Sequence, residues 1–147
     1  MLPQGRRLGI DYGSSRIGVA ISDVSGILAS PLSTLSSENA VEELAQIITD
    51  NFVNVVYIGL PLHLSGTESE TSVKATNFAV TLKSAVGREV TFRMIDERLS
   101  TKLATSNAHL SGREVSKSNV DQLAAAIILE FALDIERAQG ALAGNAI

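Results

Sequence analysis

Acidic residues stand at three places where the sequence predicts that a strand ends or a helix begins. Asp11 closes an apolar strand, the neighbours Asp96 and Glu97 close another, and Asp121 lies in the first turn of a strongly apolar helix. Ligands of α/β sheets gather outside the carboxyl ends of the strands. An ionised carboxylate that faces a core costs several kcal/mol unless it is paired or binds a metal ion. The pattern therefore indicates a shared acidic site that suits a cation.

The residue types at this predicted site favour a hard cation. The chain has no cysteine, and His63, the only histidine near the predicted site, stands in a loop where a solvated histidine is expected. Carboxylate oxygens without thiolate or imidazole ligands suit Mg²⁺ or Mn²⁺ rather than zinc. Two such ions roughly 3.5–4 Å apart can position a water for in-line attack on a phosphodiester. The predicted chemistry is phosphodiester hydrolysis.

Each acidic residue also has a structural interpretation, which the pattern leaves open. The Asp-x-Gly triplet at Asp11 is typical of a residue that caps its own turn. Neighbouring strand residues face opposite ways, so only one of Asp96 and Glu97 can face the site, and the alternation favours Glu97 weakly. Asp121 has capping-box spacing from Ser118, although it shares a helical face with apolar residues that press it toward the sheet.

The elements that must position these residues alternate between strand and helix patterns, as in an α/β fold. The first two strands form a hairpin, Pro31 confines the third to an edge, and the fourth is apolar enough for burial on both faces. The five predicted strands lie in Leu8 to Asp23 (two strands), Ile27 to Leu35, Phe52 to Gly59 and Glu89 to Ile95. The predicted helices contain Val41 to Ile48, Glu68 to Val86 with Thr67 as cap, Leu99 to Leu110 and Asn119 to Gln139. A polar link precedes the last helix. The residues from about 140 to 147 are predicted to form a flexible tail.

The overall composition indicates one compact domain over residues 1–147. The chain has 147 residues, of which 45% are hydrophobic, enough to bury a sizeable core. The absence of cysteine suits a reducing compartment. The sequence has neither the apolar run of a signal peptide nor one long enough to span a bilayer. We therefore expect a cytoplasmic protein without a membrane partner.

The charge distribution gives two interpretations of nucleic-acid binding. The net charge of −4 disfavours a nucleic-acid partner, whose binders usually show a basic surface. However, no Lys or Arg lies between Arg16 and Lys74, whereas basic residues crowd the segment from Lys74 to Lys117. A local basic face and scattered solvated charges fit this count equally well. The residues expected to bind phosphates on such a face are Arg98, Lys102, Arg113 and Lys117.

Four stretches in the same order, covering nearly the whole chain, resemble the YqgF family, whose members are described as pre-16S rRNA nucleases and as Holliday-junction-resolvase-like proteins. The stretches are Leu8 to Asp23, Ile58 to Leu62 with Gly66 to Glu68, Asp96 to Thr101, and Val120 to Ala126. The resemblance implies a ribonuclease H-like fold, with the five predicted strands in a central mixed sheet flanked by helices. It also implies catalytic, metal-binding roles for Asp11, Glu97 and Asp121, which decides between Asp96 and Glu97.

The function implied by this resemblance is maturation of the 5′ end of pre-16S rRNA on a ribosomal precursor particle, with Mg²⁺ or Mn²⁺ as cofactor. Two alternatives stay open: a nuclease that cleaves branched DNA in the manner of a Holliday-junction resolvase, and a non-catalytic ribosome-assembly or nucleic-acid-binding factor. The oligomeric state is not predicted.

The chain departs from the family pattern at two places. His63 and Ser65 stand where the family commonly has Asn and Asp, and the link before the last helix offers only Arg113 and Lys117 as basic residues. Actin-like and sugar-kinase ATPases share the ribonuclease H-like core, but they need two such domains, and 147 residues supply one.

Overall fold

The computed structural model of the protein describes residues 2–98 and 117–147. The predicted helix over Leu99 to Leu110, and the link that follows it as far as residue 116, lie outside the described residues. The elements in chain order are β1 (Arg6–Asp11), β2 (Arg16–Ser22), β3 (Ala29–Ser36), α1 (Ala40–Asp50), β4 (Val53–Leu60), α2 (Glu70–Ala85), β5 (Thr91–Asp96), α3 (Lys117–Gln139) and β6 (Asn145–Ala146). The α/β class is confirmed.

The strands form one mixed sheet in the order β3-β2-β1-β4-β5-β6. β1, β4 and β5 are parallel neighbours, while β2, β3 and β6 join by antiparallel pairing. The hairpin of β1 and β2 and the edge position of β3 agree with the prediction. Because β1 and β5 run in the same direction, their carboxyl ends lie at the same end of the sheet. The acidic residues that end these strands therefore lie at one end of the molecule.

Two apolar cores cover the two faces of the sheet. On one face, alternate strand residues such as Leu8 and Ile58 pack against α1 and α2. On the other face, their strand neighbours such as Tyr57 pack against α3. β4 contributes to both cores, as predicted for a strand covered on both sides.

Glycines on the α3 face of the sheet let the helix lie against bare strand backbone. A Cβ atom on Gly18 would overlap the main-chain carbonyl of Asp121, and one on Gly9 would lie 2.7 Å from the carbonyl oxygen of Ala125. Glycine inside a strand marks such a close approach of backbones. Gly18 pairs with Asp11 across the hairpin, so this packing brings the start of α3 to the end of β1.

The sheet has six strands rather than the predicted five, and the additional strand comes from the expected tail. Asn145 and Ala146 pair with β5, and Ala143 is buried in the α3-side core. The Arg93 guanidinium donates to the main-chain carbonyl of Ala143 at 2.8 Å and also to that of Gly144. Part of the segment predicted as a flexible tail therefore forms a paired strand in this structure. Local composition did not predict this strand, because the strand forms by pairing with the free edge of β5, which is distant in the sequence.

α1 follows Asn39 and contains the predicted stretch from Val41 to Ile48. α2 begins later than predicted. α2 is capped by Ser69 rather than Thr67: the Ser69 hydroxyl accepts a bond from the amide of Ser72 at 3.0 Å, and the Ser72 hydroxyl accepts one from the amide of Ser69 at 2.7 Å. This reciprocal pair satisfies two free amides of the helix start and fixes where the preceding loop ends.

A buried ion pair lies at the opposite end of the sheet from the acidic residues. The Arg7 guanidinium donates to Glu136 of α3 at 2.9 Å, and both side chains are almost fully buried. The Tyr57 hydroxyl donates to the same carboxylate at 2.7 Å and accepts a bond from the amide of Ala143 at 3.2 Å. This network joins β1, β4, α3 and the C-terminal segment. No helix within the described ranges is long and apolar enough to cross a membrane.

Candidate active site

Asp11 and Glu97 meet across an intervening strand. β4 lies between β1 and β5, so Glu97, which directly follows β5, starts about 10 Å from β1 at a spacing of about 4.8 Å per strand. Its path crosses Gly59 of β4, where a Cβ atom would overlap the Glu97 carboxylate. The missing side chain leaves room for Glu97 to lie over the backbone and hydrogen-bond to Asp11. The bare backbone at Gly59 is therefore the surface against which the Asp11–Glu97 pair lies, and we call it the floor of the site.

Burial dominates the electrostatics of this pair. Desolvation raises the pKa of Asp11, the hydrogen bond from Glu97 lowers it, and the charge of Asp121 raises it. Desolvation, followed by the charge and hydrogen bond of Asp11, raises the pKa of Glu97 to about 8. At neutral pH the two carboxyl groups therefore hold one proton between them, with Glu97 donating to Asp11.

Asp121 lies beside the pair without closing on it. Its Oδ2 atom is buried and makes no hydrogen bond with any described residue. Arg16 Nε is 3.1 Å away, within ion-pair distance, but its N–H is not aligned for a hydrogen bond. Among residues 2–98 and 117–147, no three carboxylate or imidazole groups lie close enough to enclose one ion. The structure thus brings two of the three predicted ligands together and places the third next to them.

Asp96 is turned to a different partner. Both of its carboxylate oxygens accept bonds from Arg98 Nε at 3.0 Å. This pairing with Arg98 lowers the pKa of Asp96. Arg98 Nη1 also donates to the carbonyl of Leu64 at 3.1 Å, which ties the loop after β4 to the end of β5. Of the two neighbouring acids, Glu97 is therefore the one that joins Asp11.

The predicted phosphate-binding residues are only partly described. Arg98 is held by Asp96, as above. Lys102 and Arg113 lie outside the described residues, and Lys117 begins α3 but its side chain is also outside them. His63 stands in a tight turn, in which its amide donates to the carbonyl of Thr67 at 3.0 Å. No role in the site follows for His63.

The residues present fit a divalent cation that takes oxygen ligands. Mg²⁺ usually keeps several waters and needs only one or two carboxylates, with phosphate oxygens of the substrate supplying the rest. Asp11 and Glu97 provide two such groups, and the buried Oδ2 of Asp121 is an acceptor that lacks a hydrogen-bond donor among the described residues. A cation would take the place of the proton that Asp11 and Glu97 share, and it would give the buried Asp121 oxygen a partner.

Two residues of the site were not found from the sequence. The sequence places Gly59 in a buried strand and in a stretch that carries the resemblance, but its role in the site appears only once β4 is known to separate β1 from β5. Arg16 was counted among the charges, although strand alternation places it on the same face as Gly18 and thus toward Asp121. That alternation was the available signal.

Comparisons with known proteins identify a family and relatives that match most of the chain. Residues 5–135 match the family described as RuvX, Holliday junction resolvase. A protein of Leifsonia xyli subsp. xyli named "Putative pre-16S rRNA nuclease" is 45% identical over 97% of this chain and 94% of its own length. A protein of Corynebacterium jeikeium with the same name is 41% identical over 91% of this chain and 89% of its own length.

Among solved structures, Thermus thermophilus RuvC in complex with a Holliday junction substrate superposes with a TM-score of 0.63 at 13% identity. The match covers 97% of this chain and 99% of that one. At this identity the likeness concerns the fold alone, and it confirms the ribonuclease H-like architecture.

Proposed function

The chain belongs to the RuvX family of nucleases, and on this premise we propose that it is a metal-dependent endonuclease that processes the 5′ end of pre-16S rRNA. The observation that carries the proposal is the buried Asp11–Glu97 pair on the floor of Gly59, with Asp121 beside it. The names of the relatives favour pre-rRNA as the substrate. We further propose that residues 1–147 act as one domain, in the cytoplasm, on a ribosomal precursor particle.

The three acidic residues have distinct parts in this proposal. Asp11 and Glu97 would hold a Mg²⁺ or Mn²⁺ ion, and Asp121 would add a further oxygen from the start of α3. When bound, the cation supplies a more acidic water and neutralises charge on the phosphate oxygens. Glu97 would bind the ion in its deprotonated form, because a carboxyl ligand must lose its proton and a nearby cation would offset the burial that raises the pKa of Glu97.

Basic side chains would hold the substrate backbone. We propose this role for Arg98, Lys102, Arg113 and Lys117, since they lie between Glu97 and Asp121 in the chain. The Asp96 carboxylate fixes the plane of the Arg98 guanidinium from one side. An oriented guanidinium loses less side-chain freedom when it binds a phosphate.

A second candidate substrate is a four-way DNA junction. The observation that favours it is the description of the matching family as Holliday junction resolvase. The same carboxylates would serve either substrate, because hydrolysis of a phosphodiester is common to both.

A cleavage assay tests the proposal and separates these substrates. Purified protein is incubated with a pre-16S rRNA 5′ fragment, an unrelated single-stranded RNA and a four-way DNA junction, in Mg²⁺, Mn²⁺ or EDTA. We expect cleavage only with a divalent cation, and loss of cleavage in Asp11→Asn, Glu97→Gln and Asp121→Asn. Asp134→Asn, which neutralises an exposed acidic residue at the far end of α3, should cleave normally.

Two outcomes would contradict the proposal. Cleavage that persists in EDTA would show that the reaction needs no divalent cation. Cleavage that persists in all three neutralised variants would show that it needs none of these carboxylates. Nucleic-acid binding without cleavage, unchanged in the three variants, would instead support a non-catalytic assembly factor.

A further inference from the structure

Arg16 has a firmly held backbone and a loosely held side chain. It begins β2, which is paired on both sides, and it faces Ser36 of β3 in the register. Its side chain is 54% exposed, with Nε 3.1 Å from Asp121 Oδ2. Within the described residues its N–H is not aligned for a hydrogen bond with that oxygen. The guanidinium is therefore placed at the site but not locked there.

The other described arginines near the carboxyl end of β5 are committed to protein acceptors. Arg98 bonds to both oxygens of Asp96 and to the carbonyl of Leu64. Arg93 bonds to carbonyls of the C-terminal segment. Arg16 differs from these two arginines because it makes no aligned hydrogen bond with its carboxylate partner, so its guanidinium can turn to a new acceptor.

The ion pair of Arg16 with Asp121 competes with the proposed cation. A divalent ion that takes Asp121 Oδ2 as a ligand neutralises the charge that attracts the guanidinium. An exposed arginine released in this way can turn outward at little cost, because exposed ion pairs are weak. Its planar fork matches two oxygens of a phosphodiester.

We propose that Arg16 is a substrate-binding residue that screens Asp121 in the metal-free protein and binds a phosphate of the nucleic acid once a cation occupies the site. This inference rests on the proposed nuclease function. The Arg16 guanidinium would then offset the repulsion between the three carboxylates and the anionic backbone, because the cation frees it from Asp121 to bind a phosphate. Metal and nucleic acid then bind cooperatively through Arg16.

The test compares Arg16→Gln with Arg137→Gln as a matched control. Arg137 is also exposed, at 47%, and also pairs with an aspartate of α3, but at the far end of that helix. Binding of a fluorescein-labelled 2′-O-methyl RNA oligonucleotide, which resists cleavage, is followed by anisotropy in Mg²⁺ and in EDTA over a range of salt concentrations. A labelled four-way DNA junction is measured in parallel.

In Mg²⁺ we expect Arg16→Gln to bind about tenfold more weakly than wild type, with a log–log salt slope flatter by about 0.7 on RNA. In EDTA the difference should fall below about twofold. Mg²⁺ affinity without nucleic acid, measured by calorimetry, should be unchanged or higher, because Asp121 loses a competitor. Arg16→Lys should recover the salt slope but only part of the affinity.

Equal affinities of Arg16→Gln and Arg137→Gln in Mg²⁺ would overturn the inference. So would a loss of the same size in EDTA, or a loss of Mg²⁺ affinity with a lower melting temperature, which would make Arg16 a structural support of Asp121. Failure of the nuclease proposal is distinct: wild-type protein would then show no Mg²⁺-dependent cleavage of unmodified RNA or junction DNA.

Discussion

Neutralising Glu97 should stabilise the metal-free protein at alkaline pH. In the folded chain this carboxyl group is buried against Asp11, and its pKa rises from 4.5 to about 8. In the unfolded chain it ionises at its ordinary pKa. Folding therefore opposes ionisation of Glu97, and the opposition disappears when the side chain is Gln, whose amide still donates to Asp11.

The sign and the pH window follow from the two pKa values. Below about pH 4.5, Glu97 is protonated in both states and has no effect on stability. As the pH rises toward 8 the unfolded chain loses the proton while the folded chain keeps it, so the free energy of unfolding falls. Above that value the loss is complete. At about 1.4 kcal/mol per pKa unit, and shared with the coupled Asp11, the loss is roughly 2–5 kcal/mol.

Urea unfolding in EDTA at several pH values between 5 and 9 measures this loss. Wild-type protein should become less stable across the range, and Glu97→Gln should be flatter and more stable at pH 9. Glu130→Gln, which removes an exposed carboxylate of α3, should follow wild type. Parallel curves for wild type and Glu97→Gln would refute the reasoning, since they would mean that Glu97 ionises as easily in the fold as in water.

Three further predictions concern the floor of the site, the distal ion pair and the cation. Gly59→Ala should lower Mg²⁺-dependent cleavage by about 100-fold, because the added methyl group displaces the Glu97 carboxylate. Gly87→Ala is the control and should keep full activity, since a Cβ at Gly87 meets no atom within 4 Å. Arg7→Met should cost roughly 3–5 kcal/mol in urea unfolding, since it leaves the buried Glu136 without its cation. Mg²⁺ at 100 times its Kd should stabilise wild type by about 2.7 kcal/mol in thermal unfolding, and Asp11→Asn should lose most of that gain.

The parts of the fold that depend on local pattern were predictable. The hairpin of β1 and β2 follows from β-formers around a Gly-containing turn, and the edge position of β3 follows from Pro31. β6 could not be found in this way because a two-residue strand has no periodicity of its own. Its pairing is decided by the exposed edge of β5 and by the bonds that Arg93 makes to it.

The candidate site was predictable in residue type but not in geometry. Acids at strand ends indicated a cation site, yet alternation favoured Glu97 over Asp96 only weakly, and the resemblance decided between them. The contact of Glu97 with Asp11 depends on the strand order β1-β4-β5 and on a missing side chain in the middle strand. The partner of Arg98 likewise depends on a side-chain conformation that position in the chain does not reveal.

The glycines beneath α3 remove one direction of motion from Asp121. Carbonyls of α3 already contact the strand backbone at Gly9 and Gly18, so the helix cannot move closer to the sheet. The ion pair of Arg7 with Glu136 holds the C-terminal half of the helix in place. Any approach of Asp121 to the Asp11–Glu97 pair must come from rotation of its side chain or from adjustment within the first turn. If the proposed cation site closes on an ion, only the Asp121 side chain and the first turn of α3 would move, and the rest of the helix would stay in place.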